Sequence, residues 1–135
     1  MDMSTINWLG VFIAALSTFA LGGLWYSPAL FGKAWMRENN FSDDDMKKGN
    51  MAKIFGLSFV WSLVMAANLA MFLNDTKTDT VWGTTAGFLA GFGWAAMIFT
   101  AIALFEQRTW KYILINGGYI IVYFSLMGFI LGIWR

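Results

Sequence analysis

The sequence predicts an all-α membrane protein with four transmembrane helices and a short interfacial amphipathic helix after the first, in one domain over residues 1–135. Three observations carry that class. Hydrophobic residues make up 59% of the chain and charged residues 13%, whereas soluble domains carry about 25% charged residues. Mean hydropathy is correspondingly positive, at +0.59. Four stretches reach the roughly 20 apolar residues that a helix needs to cross a bilayer. They are Trp8–Tyr26, Ala52–Leu73, Val81–Phe105 and Tyr112–Trp134.

The leader "MDMSTIN" holds no Lys or Arg, so it lacks a basic n-region, and no small-x-small cleavage site precedes "LWYSP". Trp8–Tyr26 is therefore expected to stay as a permanent helix. Next comes "GGLWYSPALFGKAWM", with three glycines, four aromatics and the chain's one proline. Gly22 and Gly23 are expected to allow close approach, and Trp25 and Tyr26 to anchor the helix end among headgroups. Ser27 then Pro28 reads as N-cap and first helical residue. A surface helix over about 28–37 follows, with Leu30, Phe31, Ala34 and Trp35 toward the acyl chains and Lys33 and Arg37 toward phosphates. The stretch is a corner that turns the chain from across the membrane to along it.

In "FSDDDM", Ser42 is an N-cap, with Asp43, Asp44 and Asp45 in the first turn, where the helix dipole favours negative charge. Phe41 and Met46 are spaced as a hydrophobic staple. Capping is the expected use of the three carboxylates, since a hard cation needs more converging oxygens than one short run supplies. Gly49 and Asn50 are candidate interruptions before the second span. After it, "NDTKTDT" is a short polar loop in which Asp79 or Thr80 can cap the third helix.

The third span carries Gly83, Gly87, Gly91 and Ala95 at intervals of four, and the fourth repeats the pattern with Gly128 and Gly132. Such stripes let helices approach closely where lipid supplies no hydrophobic drive. Packing within the chain is the plainer use and a self-association face the other. Tyr112, Asn116, Tyr119 and Tyr123 share one face of the fourth helix by spacings of four, three and four. Hydrogen bonds between helices are the ordinary use of such a face, and a small polar cavity for an uncharged ligand is the sharper one. No Asp, Glu, Lys, Arg or His lies in the interior of a span, which argues against ion-coupled transport. Glu106, at the inner end of the third span, is expected to pair with Arg108 or Lys111. A short gapped echo, "ALFGKAW" and "ALFEQRTW", is read as coincidence.

Orientation follows from charge. Lys33, Arg37, Lys47, Lys48, Lys53, Arg108 and Lys111 flank the first and third loops, against Lys77 and Arg135 elsewhere. Cations favour the cytoplasmic side, so both termini are expected outside. Trp8, Trp82 and Trp134 then mark the outer interface and Trp25, Trp35 and Trp110 the inner one. Only Trp61 and Trp94 fall at mid-span, where they pack over glycines or wall a cavity.

"GGLWYSPALFGKAW" and "ALFEQRTWKYILINGGY" resemble a bacterial family of uncharacterised small membrane proteins, domain-of-unknown-function family 1761. Gly22, Gly23, Trp25, Tyr26, Ser27, Pro28, Phe31, Gly32 and Trp35 match its signature. The resemblance covers nearly the whole chain and implies a four-helix protein of the bacterial inner membrane. It implies no reaction, substrate or catalytic residue.

The chain has no cysteine and no histidine, which removes thiol nucleophiles, the usual metal and haem ligands and the commonest general base. No cofactor, metal or nucleic-acid partner is expected, and an enzyme ranks last. The leading expectation is a non-enzymatic structural or accessory component, in contact with the bilayer, that self-associates or joins a larger membrane complex. The alternative is a small transporter or channel for a neutral or weakly polar solute.

Overall fold

A computed structural model describes residues 3–134; Arg135, counted above among the outer cations, lies outside them. After a single 3-10 turn at Met3–Thr5, helix α1 runs over Trp8–Trp25. Two short helices follow, α2 at Gly32–Glu38 and α3 at Asp43–Lys48, and then α4 at Met51–Phe72. The third span is α5 at Thr80–Ala90, a π-helical segment at Gly91–Ala96 and α6 at Met97–Phe105. Helix α7, Trp110–Ile133, closes the chain. Four helices are thus long and apolar enough to cross a membrane, within a residue or two of the expected boundaries.

Side-chain caps set most of the starts. Asn7, Ser42, Asn50, Asp79 and Thr109 each accept a backbone N–H of the helix they open. Ser42 and Asp45 form a full capping box, each bonding the other's amide. Asn50 caps α4 straight after Gly49 ends α3, so the surface helix and the second span are separate.

The helices form an open array, with α1 packed on α4 and α7, and α7 packed on α1 and the third span. Helix α4 and α5, the two flanks, are not packed on each other. Alanines make the α1–α4 seam close: Ala14, Ala15 and Ala66 are fully buried beside Val11, Leu69 and Met127. Less than half of every span is buried inside the protein, which leaves broad apolar faces for lipid or a partner.

The glycine stripes interlock within the chain. A Cβ on Gly83 would strike the Gly128 carbonyl, one on Gly87 the Phe124 carbonyl, and one on Gly128 the Gly83 carbonyl. On Gly132 it would stand 2.7 Å from the Asp79 carbonyl. Ala95 does not continue the stripe. The π segment takes up one extra residue, so the buried line passes from Gly91 to Ala96 and Ala103. A period of four read from sequence carries no sign of that shift.

The N-terminal turn, the 74–78 loop and Trp134 meet at one end, where Thr5 donates to Asn74 at 2.8 Å. The α2–α3 corner and the 106–109 loop meet at the other.

Candidate functional site

The corner and the polar face of α7, separate features in the sequence, are one structure. Trp25 and Tyr26 turn inward rather than toward headgroups. The Trp25 indole N–H donates to the Ile115 carbonyl at 3.0 Å, and the Tyr26 hydroxyl donates to the Asn116 side-chain carbonyl. Tyr119 packs between Trp25, Tyr26 and Tyr123 in tilted and edge-on contacts. Gly22 makes this possible by a side-chain route: a Cβ there would sit 2.8 Å from the Tyr119 hydroxyl. Gly23 has nothing within 4 Å and borders open space.

Ser27 and Pro28 do not start the surface helix. The Ser27 hydroxyl donates back to the Leu24 carbonyl at 2.7 Å, and the Ser27 carbonyl accepts the amides of Leu30 and Gly32. The Trp25 carbonyl takes the Phe31 amide at 3.0 Å. These bonds satisfy the end of α1 by a tight loop, so α2 begins only at Gly32, without a side-chain cap. Gly32 lies against the Tyr26 and Ser27 carbonyls, where a Cβ would collide. Trp35 closes the corner by edge contacts to Tyr26 and Phe41, while Leu30 and Phe31 stay exposed.

The four residues of the α7 face part into three settings. Tyr112 stacks near Phe99 and carries the Arg108 guanidinium 3.6 Å above its ring. Asn116 and Tyr119 join the corner. Tyr123, buried, donates to Ser62 at 2.6 Å, and Ser62 donates on to the Ser58 carbonyl at 3.0 Å. Tyr123 is therefore helix–helix glue, the ordinary use of a polar side chain in lipid.

Between α1, the surface helices, α4 and α7 lies a chamber of about 530 Å³. Tyr26, Asn116, Tyr119 and Ser58 line one part of it. Phe19, Phe55 and Ile54 line another, with Met36, Met46 and Met51 toward the membrane surface. No Asp, Glu, Lys or Arg is among the lining residues. Asn116 spends one amide N–H on the Tyr112 carbonyl and keeps the second, and the Tyr119 hydroxyl has no protein partner among the described residues.

A latch ties the surface helix to the far loop. Arg108 donates to the Asn39 side chain at 2.6 Å and to the Glu38 carbonyl at 3.4 Å, and the Thr109 hydroxyl donates to the Glu38 carboxylate. Asn40 and Gln107, one on each side, hold left-handed backbone at φ 57° and 59°. Arg108 therefore pairs with α2 and the Tyr112 ring, and Glu106, expected as its partner, is exposed. Asp45, in the acidic trio, is spent on its cap and on an ion pair with Lys48 at 3.6 Å. The mid-span Trp61 and Trp94 do not cover glycines; both project outward and border grooves beside α4.

The family model described as "Protein of unknown function (DUF1761)" matches residues 9–132, and the chain belongs to that family. No curated protein and no solved structure matches it.

Proposed function

We propose that this member of the family is a non-enzymatic, multi-pass protein of the bacterial inner membrane that works by holding an uncharged, weakly polar ligand in the chamber between α1, α4 and α7. One observation carries the reading: neutral hydrogen-bonding groups with unspent capacity face a space of about 530 Å³ that no Asp, Glu, Lys or Arg lines. The second Asn116 N–H and the Tyr119 hydroxyl face this space without a protein acceptor among the described residues, and they suit a ligand that supplies oxygen acceptors. Binding of this kind serves a carrier for a neutral solute or a subunit that presents one to a larger complex. With tyrosine as the one titratable side chain type at the site, acid–base turnover near neutral pH has little to draw on.

Sequence alone ranks association ahead of transport. The glycine stripes behind that ranking are consumed inside the chain, which favours the chamber. Association with further copies or a membrane complex remains the second reading, favoured by Trp61 and Trp94. They are 57% and 81% exposed at mid-span, away from the interface that tryptophan prefers.

Native mass spectrometry of protein gently extracted from its own membrane tests the choice. We expect a reproducible uncharged small molecule, held more weakly in Tyr119→Phe while the melting temperature stays near the parent value. Ligand-free protein that keeps a stoichiometric second subunit would move the reading to an accessory chain.

A further inference from the structure

The chamber does not end at Tyr119. It shares Phe19, Ser58 and Tyr119 with a second cavity of about 230 Å³ between α4 and α7. That cavity shares Met65 and Phe124 with a third, of about 470 Å³, between α4 and the third span. The three follow one another along α4 from Met51 to Phe72, about 30 Å at 1.5 Å per residue. The third occupies the gap left because α4 and α5 are not packed together, and the first two lie between α1, α4 and α7.

Polarity falls along the way. The chamber end offers the Asn116 N–H and the Tyr119 hydroxyl. In the middle, Tyr123 and Ser62 are already bonded to each other. The far end is apolar apart from Asn68, with Trp82, Leu89, Trp94 and Phe72 along its walls and Phe124 as its floor.

We propose that this groove binds a lipid-soluble amphiphile with an uncharged, oxygen-bearing head, such as a prenylated quinone or prenyl alcohol. The head sits in the chamber and the tail lies along α4. This rests on the chamber being a ligand site. The head is uncharged because no cation lines the chamber to neutralise a phosphate, and carrying a bare charge into such a site costs far more than the available hydrogen bonds return. Its oxygens accept from Tyr119 and Asn116. The long apolar tail explains why a groove of membrane length continues from a polar chamber and why Trp61 and Trp94 stand beside it at mid-span. Met36, Met46 and Met51 at the chamber's edge are unbranched and adaptable, and suit a head that enters and leaves.

The test uses the full chain in nanodiscs of zwitterionic lipid, with tryptophan quenching and native mass spectrometry as readouts. The probes are a methylnaphthoquinone bearing a four-unit isoprenoid tail, the same ring without the tail, a prenyl alcohol of equal tail length, and an anionic phospholipid. We expect both tailed uncharged probes to bind one per chain and the tail-less ring to bind at least tenfold more weakly. Tyr119→Phe should weaken the tailed quinone about threefold to tenfold, the loss of one hydrogen bond. Leu89→Trp, on an exposed wall of the far groove, should remove the advantage of the tail while leaving tail-less binding unchanged. Equal binding with and without the tail overturns the amphiphile and leaves the chamber as a site for small solutes. Binding of no probe overturns both. Binding of the phospholipid in place of the uncharged probes shows an ordinary bilayer lipid in the groove and overturns the uncharged head. Spontaneous disulfide dimers of Asn68→Cys that exclude the tailed probes would show a second copy there instead, and would also overturn the proposal.

Discussion

A methyl group on Gly32 would run into the carbonyls of Tyr26 and Ser27, and one on Gly128 into the carbonyl of Gly83, whereas on Gly23 it would meet nothing within 4 Å. The obstacles at the first two are backbone and cannot swing away. Gly32→Ala and Gly128→Ala should each cost about 1–3 kcal/mol or more, the usual range for overpacking. Gly23→Ala should leave stability unchanged or raise it by up to about 1 kcal/mol through helix propensity. Thermal melts of the three variants in one detergent check the order, and equal losses at all three would refute the packing described. Tyr123→Phe removes the hydroxyl that donates to Ser62, with Ser62 keeping its own bond to the Ser58 carbonyl. Its cost should be modest, about 0.6–2 kcal/mol in the membrane, and its ligand binding close to the parent's. The reverse is expected of Tyr119→Phe, whose hydroxyl bonds no protein group among the described residues: weakened binding with little lost stability, whereas Asn116→Leu also leaves the Tyr26 hydroxyl without its acceptor and should cost stability as well. At this scale the sequence shows which residues are unusual without showing what each one touches. Gly22 and Gly32 look alike in the motif, yet one makes room for a tyrosine ring from a helix some ninety residues away.

The π segment in the third span makes a sharp prediction about elements. Its extra residue lets α5 and α6 both face α7 although the spacing between their small residues is not that of a regular helix. Deleting Ala95 should convert the segment to regular α-helix and leave both halves docked, with a melting temperature within a few degrees of the parent. Deleting Ile98 from α6 should turn the following residues by about 100°, expose Ala103 and destabilise the protein severely. If the two deletions behave alike, the segment is not the register device it is taken to be. The capping box of α3 is sensitive to pH. Bonds from the Ser42 amide and hydroxyl hold the Asp45 carboxyl below its ordinary value, with Lys48 adding to the effect. The carboxylate therefore supports α3 at neutral pH, and that support is lost as pH falls from the ordinary carboxylate range through the lowered value. Hydrogen-exchange protection of residues 43–48 should decline over that interval. Asp45→Asn should show the weaker protection at neutral pH and little further change on acidification.

For the whole molecule, an even number of spans brings both chain ends to one side, in keeping with the Thr5–Asn74 bond and the place of Trp134. The orientation inferred from Lys and Arg is testable because the chain has no cysteine, so every introduced thiol is the only one. An impermeant maleimide added to intact spheroplasts should label Ser4→Cys and Lys77→Cys and spare Lys47→Cys and Lys111→Cys. The opposite pattern would invert the protein in its membrane.

By itself the sequence determined the four spans, the cap at Ser42, the choice of Asp79 or Thr80 for the third helix, and the small-residue stripes, because each depends on residues close together in the chain: a run long enough for a bilayer, an oxygen three residues before an amide, a repeat of four. It also marked the corner and the tyrosine–asparagine face as unusual. Only the tertiary structure decided that these two are one site, that the stripes of the third and fourth spans lock into each other, and that Ala96 replaces Ala95 in that line. It decided likewise that the two flanking helices stand apart over a groove. Those outcomes depend on which apolar faces meet. In a chain whose helices are apolar nearly all round, hydropathy names no partner; close backbone approach and a few hydrogen bonds do.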